Sequence, residues 1–142
     1  MHPIKKFLTE CLDDYFSISG RLSRQRYCIL VFKVCLPITV GLILEWIIIT
    51  ALELGARFPH TVTFIHVIMY STLAFSTIAI PCLTARRMHD IGKSGWFGWI
   101  PLLMQFLPCN VLIYGLFLWW LAHKDGDPGM NKYGELPPDD DD

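Results

Sequence analysis

The sequence predicts an all-α integral membrane helical bundle: an N-terminal amphipathic interfacial helix followed by three transmembrane helices. Three observations lead there. Hydrophobic residues make up 53% of the 142-residue chain and charged residues only 18%, where a soluble domain carries about 25% charged residues. The apolar residues gather into three long runs, each beyond the roughly 20 residues that cross a hydrocarbon core. Lys and Arg crowd the flanks on one side of those runs. A chain of this length has room for one domain, residues 1–142.

Ile4, Phe7, Leu8, Cys11, Leu12, Tyr15 and Phe16 recur at helical spacing, with Lys5, Lys6, Glu10, Asp13 and Asp14 on other faces. This pattern predicts an amphipathic helix over 3–19, lying in the membrane interface or on the protein's own cytoplasmic surface. Ser19-Gly20 ends it, and Ser23 is a candidate N-cap for the next helix. The predicted spans cover 28–52, 61–83 and 96–122. A polar tail, 123–142, is rich in Gly, Pro and Asp and too poor in apolar residues to fold alone. The first apolar run is too long for a signal-peptide core and lacks a small-residue cleavage site.

Lys5, Lys6, Arg21, Arg24, Arg26 and Lys33 precede or open the first span, and Arg86, Arg87 and Lys93 follow the second. The connection between the two spans carries only Arg57. The positive-inside rule therefore places the N-terminus and the 84–95 segment in the cytoplasm. In the third run, Trp96 and Trp99 at one end and Trp119 and Trp120 at the other form two aromatic belts, roughly 30 Å apart along a helix. That spacing favours a single crossing and an external tail. Pro101 and Pro108 interrupt the helix, and Pro108-Cys109-Asn110 reads as a turn. The alternative is a re-entrant hairpin that returns the tail to the cytoplasm.

The net charge of −1 gives no electrostatic case for nucleic acid. Five cysteines form no CxxC pair and no zinc spacing, so no metal or other cofactor is expected. GxSxG, HExxH and P-loop patterns are missing, and His89 and Asp90, adjacent on a helix, do not face each other. No catalytic residue is assigned. Glu45 and His66 are ionisable residues inside spans, each roughly 10 Å below the outer surface. They form either a structural interhelical hydrogen bond or an ion-coupled site. Thr72, Ser76 and Ala79 share one helical face suited to close packing.

Three segments in order resemble the motifs of the YhaH-like bacterial inner-membrane proteins, a family catalogued as a domain of unknown function. They are Phe16-Ser17-Ile18-Ser19-Gly20-Arg21-Leu22-Ser23-Arg24-Gln25-Arg26-Tyr27, then Arg86-Arg87-Met88-His89-Asp90-Ile91-Gly92-Lys93-Ser94-Gly95-Trp96-Phe97, then Gly126-Asp127-Pro128-Gly129-Met130-Asn131-Lys132-Tyr133-Gly134. Arg26, Cys28 and Phe97 depart from the family pattern, and Asp139–Asp142 lie outside it. The resemblance implies an all-helical, multi-pass protein of the bacterial inner membrane and supplies no reaction. If the Asn131-Tyr133 motif packs on the other two, the third run must turn back.

The reading that follows is a non-enzymatic scaffold or regulatory subunit. Its basic cytoplasmic face would bind anionic lipid headgroups or a membrane-protein partner through Arg21, Arg24, Arg86, Arg87, His89, Asp90, Lys93, Trp96, Asn131 and Tyr133. The alternative is a homo-oligomeric small-molecule or ion transporter or channel using Glu45 and His66. An enzyme acting on a lipid headgroup through His89 and Asp90 ranks last.

Overall fold

The computed structural model describes residue 9 and residues 12–51, 59–104 and 110–137. Among the described residues all regular structure is helical, apart from an isolated bridge between Asn131 and Gly134. Of the expected N-terminal helix, 12–16 is helical; residues 1–8, 10 and 11 lie outside the described residues. The described turn packs on the protein itself. Tyr15 and Phe16 meet Phe75 edge-on, at 5.6 and 5.3 Å between ring centres.

Helix α1, Arg24–Trp46, starts where Ser23 caps it: the Ser23 side chain accepts from Arg26 N at 3.4 Å. It continues as a π-helical turn over Ile47–Ala51. Helix α2, Pro59–Asp90, has 32 residues, about 48 Å of helix. Both are long and apolar enough to cross a membrane. α2 stops in a Schellman motif: Lys93 N donates to Met88 O at 2.9 Å and Gly92 N to His89 O at 3.1 Å. Gly92 takes φ +72°, the left-handed conformation that this stop requires.

The third run is predicted as one crossing over 96–122, with a re-entrant hairpin as the alternative. It forms a 3₁₀ turn over Gly95–Trp99, then α3, Ile100–Met104, and α4, Asn110–His123, with 105–109 outside the described residues. The 14 residues of α4 reach about 21 Å, short of a bilayer core. The end of α4 lies against the end of α2, where Arg87 Nε donates to Leu121 O at 3.2 Å. A single crossing would hold those two ends a bilayer apart. The start of the run at Gly95 and its end at Leu121 thus both lie near the end of α2.

This arrangement concentrates burial at one end of the bundle. Leu22, Tyr27, Leu30, Leu83, Met88, Ile91 and Leu121 form one core cluster, with Val34, Ala79 and Ile80 beside it. Gly98 lets the 3₁₀ turn press against α2: a Cβ there would lie 2.5 Å from Ala85 N and 2.8 Å from Pro81 O. Among the described residues, no side chain of α1 beyond Val34 and none of α2 before Ser76 is buried. Those stretches present Trp46, Phe64 and Tyr70 outward, the surface expected of helices solvated by lipid.

Candidate functional site: a buried arginine–aspartate cluster

The last turn of α2 supplies Arg87 and Asp90, three residues apart and so on one face. Both are buried, Arg87 completely. Arg87 Nη1 donates to Asp90 Oδ2 and, at 3.4 Å, to Leu22 O. Its Nε and Nη2 donate to the carbonyls of Leu121 and Lys124. These carbonyls belong to the end of α4, where backbone acceptors lack helical partners and a cation favours the helix dipole. One guanidinium thus ties α4 to α2 and neutralises part of a buried carboxylate.

A second guanidinium comes from the turn before α1. Gly20, at φ +83°, swings the chain so that Arg21 points inward. Arg21 Nε and Nη2 meet Asp90 Oδ1 at 3.0 and 2.9 Å. Its remaining donors reach the tail: Nη2 to Asp127 O at 2.7 Å, and Nη1 to Gly129 O. The tail answers with its own bonds. Asp127 N donates to Asp90 O at 2.8 Å. Asn131 Nδ2 donates to His89 O at 2.9 Å, while its Oδ1 accepts from Tyr133 N at 2.9 Å. The Tyr133 ring stacks on His89 at 3.8 Å and 14°, and His89 Nδ1 donates to Gly20 O at 3.1 Å. Gly126 faces the Asp90 carboxylate with no room for a Cβ. The three polar segments form one cap over the end of the bundle, around a cavity of about 250 Å³ lined by Arg24, Arg87, Asp90, Asp125 and Asp127.

A family model described as a protein of unknown function (DUF805) matches residues 15–135. The chain belongs to this family. The matched region begins at the Tyr15 that packs on the bundle and ends just past the tail bridge, so it contains the whole cap. No curated protein and no solved structure matches the chain.

In this DUF805 protein the cap is electrostatically incomplete: two guanidiniums share one carboxylate. Burial pushes the Asp90 carboxyl above its ordinary range, against the hydrogen bond from Arg21 and the charges of Arg87 and Arg21. Burial also lowers Arg87, opposed by Asp90. The excess positive charge is held by backbone carbonyl dipoles from Leu22, Leu121, Lys124, Asp127 and Gly129. Every nitrogen of both side chains is engaged. The cluster is therefore built to bind its own backbone.

The other residues singled out in the sequence fall in three places. Arg86 turns away from Arg87 and donates to Asp14 O at 3.0 Å; Asp14 in turn pairs with Arg26 at 2.7 Å. This pins segment 12–16 to α2, while burial lowers the Arg86 pKa. Arg24 and Lys93 remain exposed, Arg24 in a solvent-facing pair with Asp125 at 3.3 Å, and Trp96 is 82% exposed. Glu45 and His66 lie in the other half of the bundle, joined at 2.8 Å. The face expected to meet headgroups is thus divided: Arg21, Arg87 and Asp90 point inward, and Arg24, Lys93 and Trp96 point out. Gly20 enters the sequence reading only as a helix stop, and the sequence does not mark Asp127 or the α4 carbonyls as site residues. The Arg87–Asp90 spacing was the signal in the sequence for the first ion pair. The acceptors are main-chain atoms, which leave no trace in a sequence.

Proposed function

We propose that this DUF805 chain is a bacterial inner-membrane protein with two crossings, a re-entrant third segment, and its N-terminus and tail in the cytoplasm. It acts as a non-enzymatic scaffold or regulatory subunit. The observation that carries the reading is the complete internal use of Arg21, Arg87 and Asp90. Side chains spent on one another make a rigid platform. Cations at its rim, Arg24, Lys93, Lys124 and Lys132, with exposed Trp96 beside them, suit anionic headgroups.

Two measurements test this. The chain should remain with membranes through carbonate washing, and recovery in the soluble fraction would refute the membrane reading. In nanodiscs, native mass spectrometry should show retention of anionic over zwitterionic lipid, reduced by Lys93→Glu with Lys132→Glu. Equal retention of both lipids would refute the headgroup role. The Glu45–His66 contact at 2.8 Å favours a second reading, an oligomeric ion or small-molecule pathway. That version requires proteoliposome flux that Glu45→Gln abolishes while the fold survives.

A further inference from the structure

We propose that the cavity in the cap binds a small zwitterion, a phosphate joined through a short carbon linker to a primary ammonium. The space measures about 250 Å³. A water takes about 30 Å³ of liquid, so there is room for about eight non-hydrogen atoms rather than one bridging solvent molecule. The volume lies below the roughly 300–1,000 Å³ of sites for drug-sized ligands. Size alone therefore selects a headgroup-sized molecule.

The polarity of the walls selects its charges. Arg87 and Asp90 line the cavity but are spent on each other, on Arg21 and on backbone carbonyls. The wall from the start of α1 offers donors. Ser23 is 5% exposed and accepts from Arg26 N; among the described residues its own O–H proton meets no acceptor. Arg24 spends Nη1 on Asp125, and the rest of its fork makes no hydrogen bond among the described residues. The wall from the tail offers acceptors instead. Asp127 accepts from Asn131 through Oδ2, which leaves Oδ1, and Asp125 meets Arg24 alone. That Arg24–Asp125 pair spans the two walls at 3.3 Å with side chains 53% and 90% exposed, the solvent-screened kind that contributes little.

A plain anion would suit the first wall and be repelled by the second, and a plain cation the reverse. A zwitterion suits both, and its two ends replace one loose ion pair with charge-assisted hydrogen bonds on each side. Phosphate is the fitting acid group, because its several oxygens can take the Arg24 fork and the Ser23 hydroxyl together. Leu136 gives the lining an apolar side for the carbon linker. The same chemistry occurs as a free aminoalkyl phosphate and as a phospholipid headgroup. The lipid source rests on the membrane reading above, which puts the start of α1 at headgroup level; the site itself does not.

The test is calorimetric titration of the full chain in detergent with O-phosphoethanolamine, inorganic phosphate and ethanolamine. A hydrogen bond to a charged group is worth about ten-fold in affinity, so O-phosphoethanolamine should bind about ten-fold more tightly than either fragment. Arg24→Gln should weaken it about ten-fold. Asp125→Asn should weaken it too, while inorganic phosphate binds as well as before or better, because Arg24 has lost its competitor. A general electrostatic effect would strengthen both. Arg24 and Asp125 are exposed, so thermal unfolding of both variants should match wild type. Since the tail forms one wall, bound ligand should hold it shut: at ten times Kd, trypsin cleavage at Lys124 should slow about eleven-fold. In nanodiscs, phosphatidylethanolamine in place of phosphatidylglycerol gives that protection unaided where the headgroup is the source, and only added O-phosphoethanolamine gives it where the source is soluble. Lys93→Glu with Lys132→Glu should leave the titration unchanged, which separates this site from the rim. Equal affinity for O-phosphoethanolamine and inorganic phosphate, or tighter binding of both in Asp125→Asn, would overturn the proposal. Loss of the chain from the membrane fraction would overturn the membrane reading and leave the titration standing.

Discussion

Removal of the Asp90 carboxylate is the sharpest perturbation of the cap. Asp90 accepts from Arg21 Nε at 3.0 Å and Nη2 at 2.9 Å, and from Arg87 Nη1 on its other oxygen. Asp90→Ala strands both guanidiniums in a site where neither side chain is more than 1% exposed. Breaking one buried pair by deleting a partner costs about 3–5 kcal/mol. Here two partners lose their shared counterion, so the cost should reach at least the upper part of that range. The backbone carbonyls already engaged limit it. Against a typical stability of about 5–15 kcal/mol, the cap should open before the helices separate. In mild detergent the variant should lose a low-temperature unfolding step, and trypsin should cut at Lys124 and Lys132 far faster than in wild type. Asp90→Asn keeps one acceptor oxygen and should fall between the two. Adding Arg21→Ala to Asp90→Ala removes one stranded charge, so the pair should cost less than the sum of the singles, by about 1–3 kcal/mol. A loss below about 1 kcal/mol for Asp90→Ala, with unchanged tail protection, would refute the argument that this carboxylate holds the cap.

Asn131→Ala removes the bonds to His89 O and from Tyr133 N and should loosen the tail by about 1–2 kcal/mol; hydrogen exchange in 125–137 should rise while α1 stays protected. Asn131→Asp should be worse, since it loses the donor and sets a carboxylate near that of Asp127. Gly98→Ala drives a methyl against the backbone of Ala85 and Pro81, which cannot yield as a side chain does, and should cost about 1–3 kcal/mol in thermal unfolding. Tyr133→Cys and Ser94→Cys should both react with impermeant maleimide added from the cytoplasmic side, because tail and loop share one end of the bundle. Labelling of Tyr133→Cys solely from outside would restore the single crossing of 96–122.

Long runs of apolar sequence translate directly into helices, so the two long helices, Arg24–Trp46 and Pro59–Asp90, were legible as elements. The third run misleads for an equally physical reason. Trp96, Trp99, Trp119 and Trp120 report distance along a straight helix, and they cannot report where the end of the run packs. That end is held by Arg87, which reaches the carbonyls of Leu121 and Lys124. Any residue at those positions would offer the same acceptors, so the decisive contact has no sequence signature on the acceptor side. The arginines mislead in a related way. Counted by the positive-inside rule, Arg21, Arg24, Arg86 and Arg87 are equal topological charges. In the fold they have three different environments: Arg21 and Arg87 buried on Asp90, Arg86 on the 12–16 turn, Arg24 in solvent. Two features in the sequence separate them, the three-residue spacing of Arg87 and Asp90 and the glycine before Arg21. The rest depends on the tail, whose glycines read as disorder by composition alone. Gly126 shows why that inference fails, since its missing Cβ is where the Asp90 carboxylate fits. In a tail this polar, order is supplied by donors from the helices rather than by apolar burial. Hydrophobic patterning is blind to order of that kind.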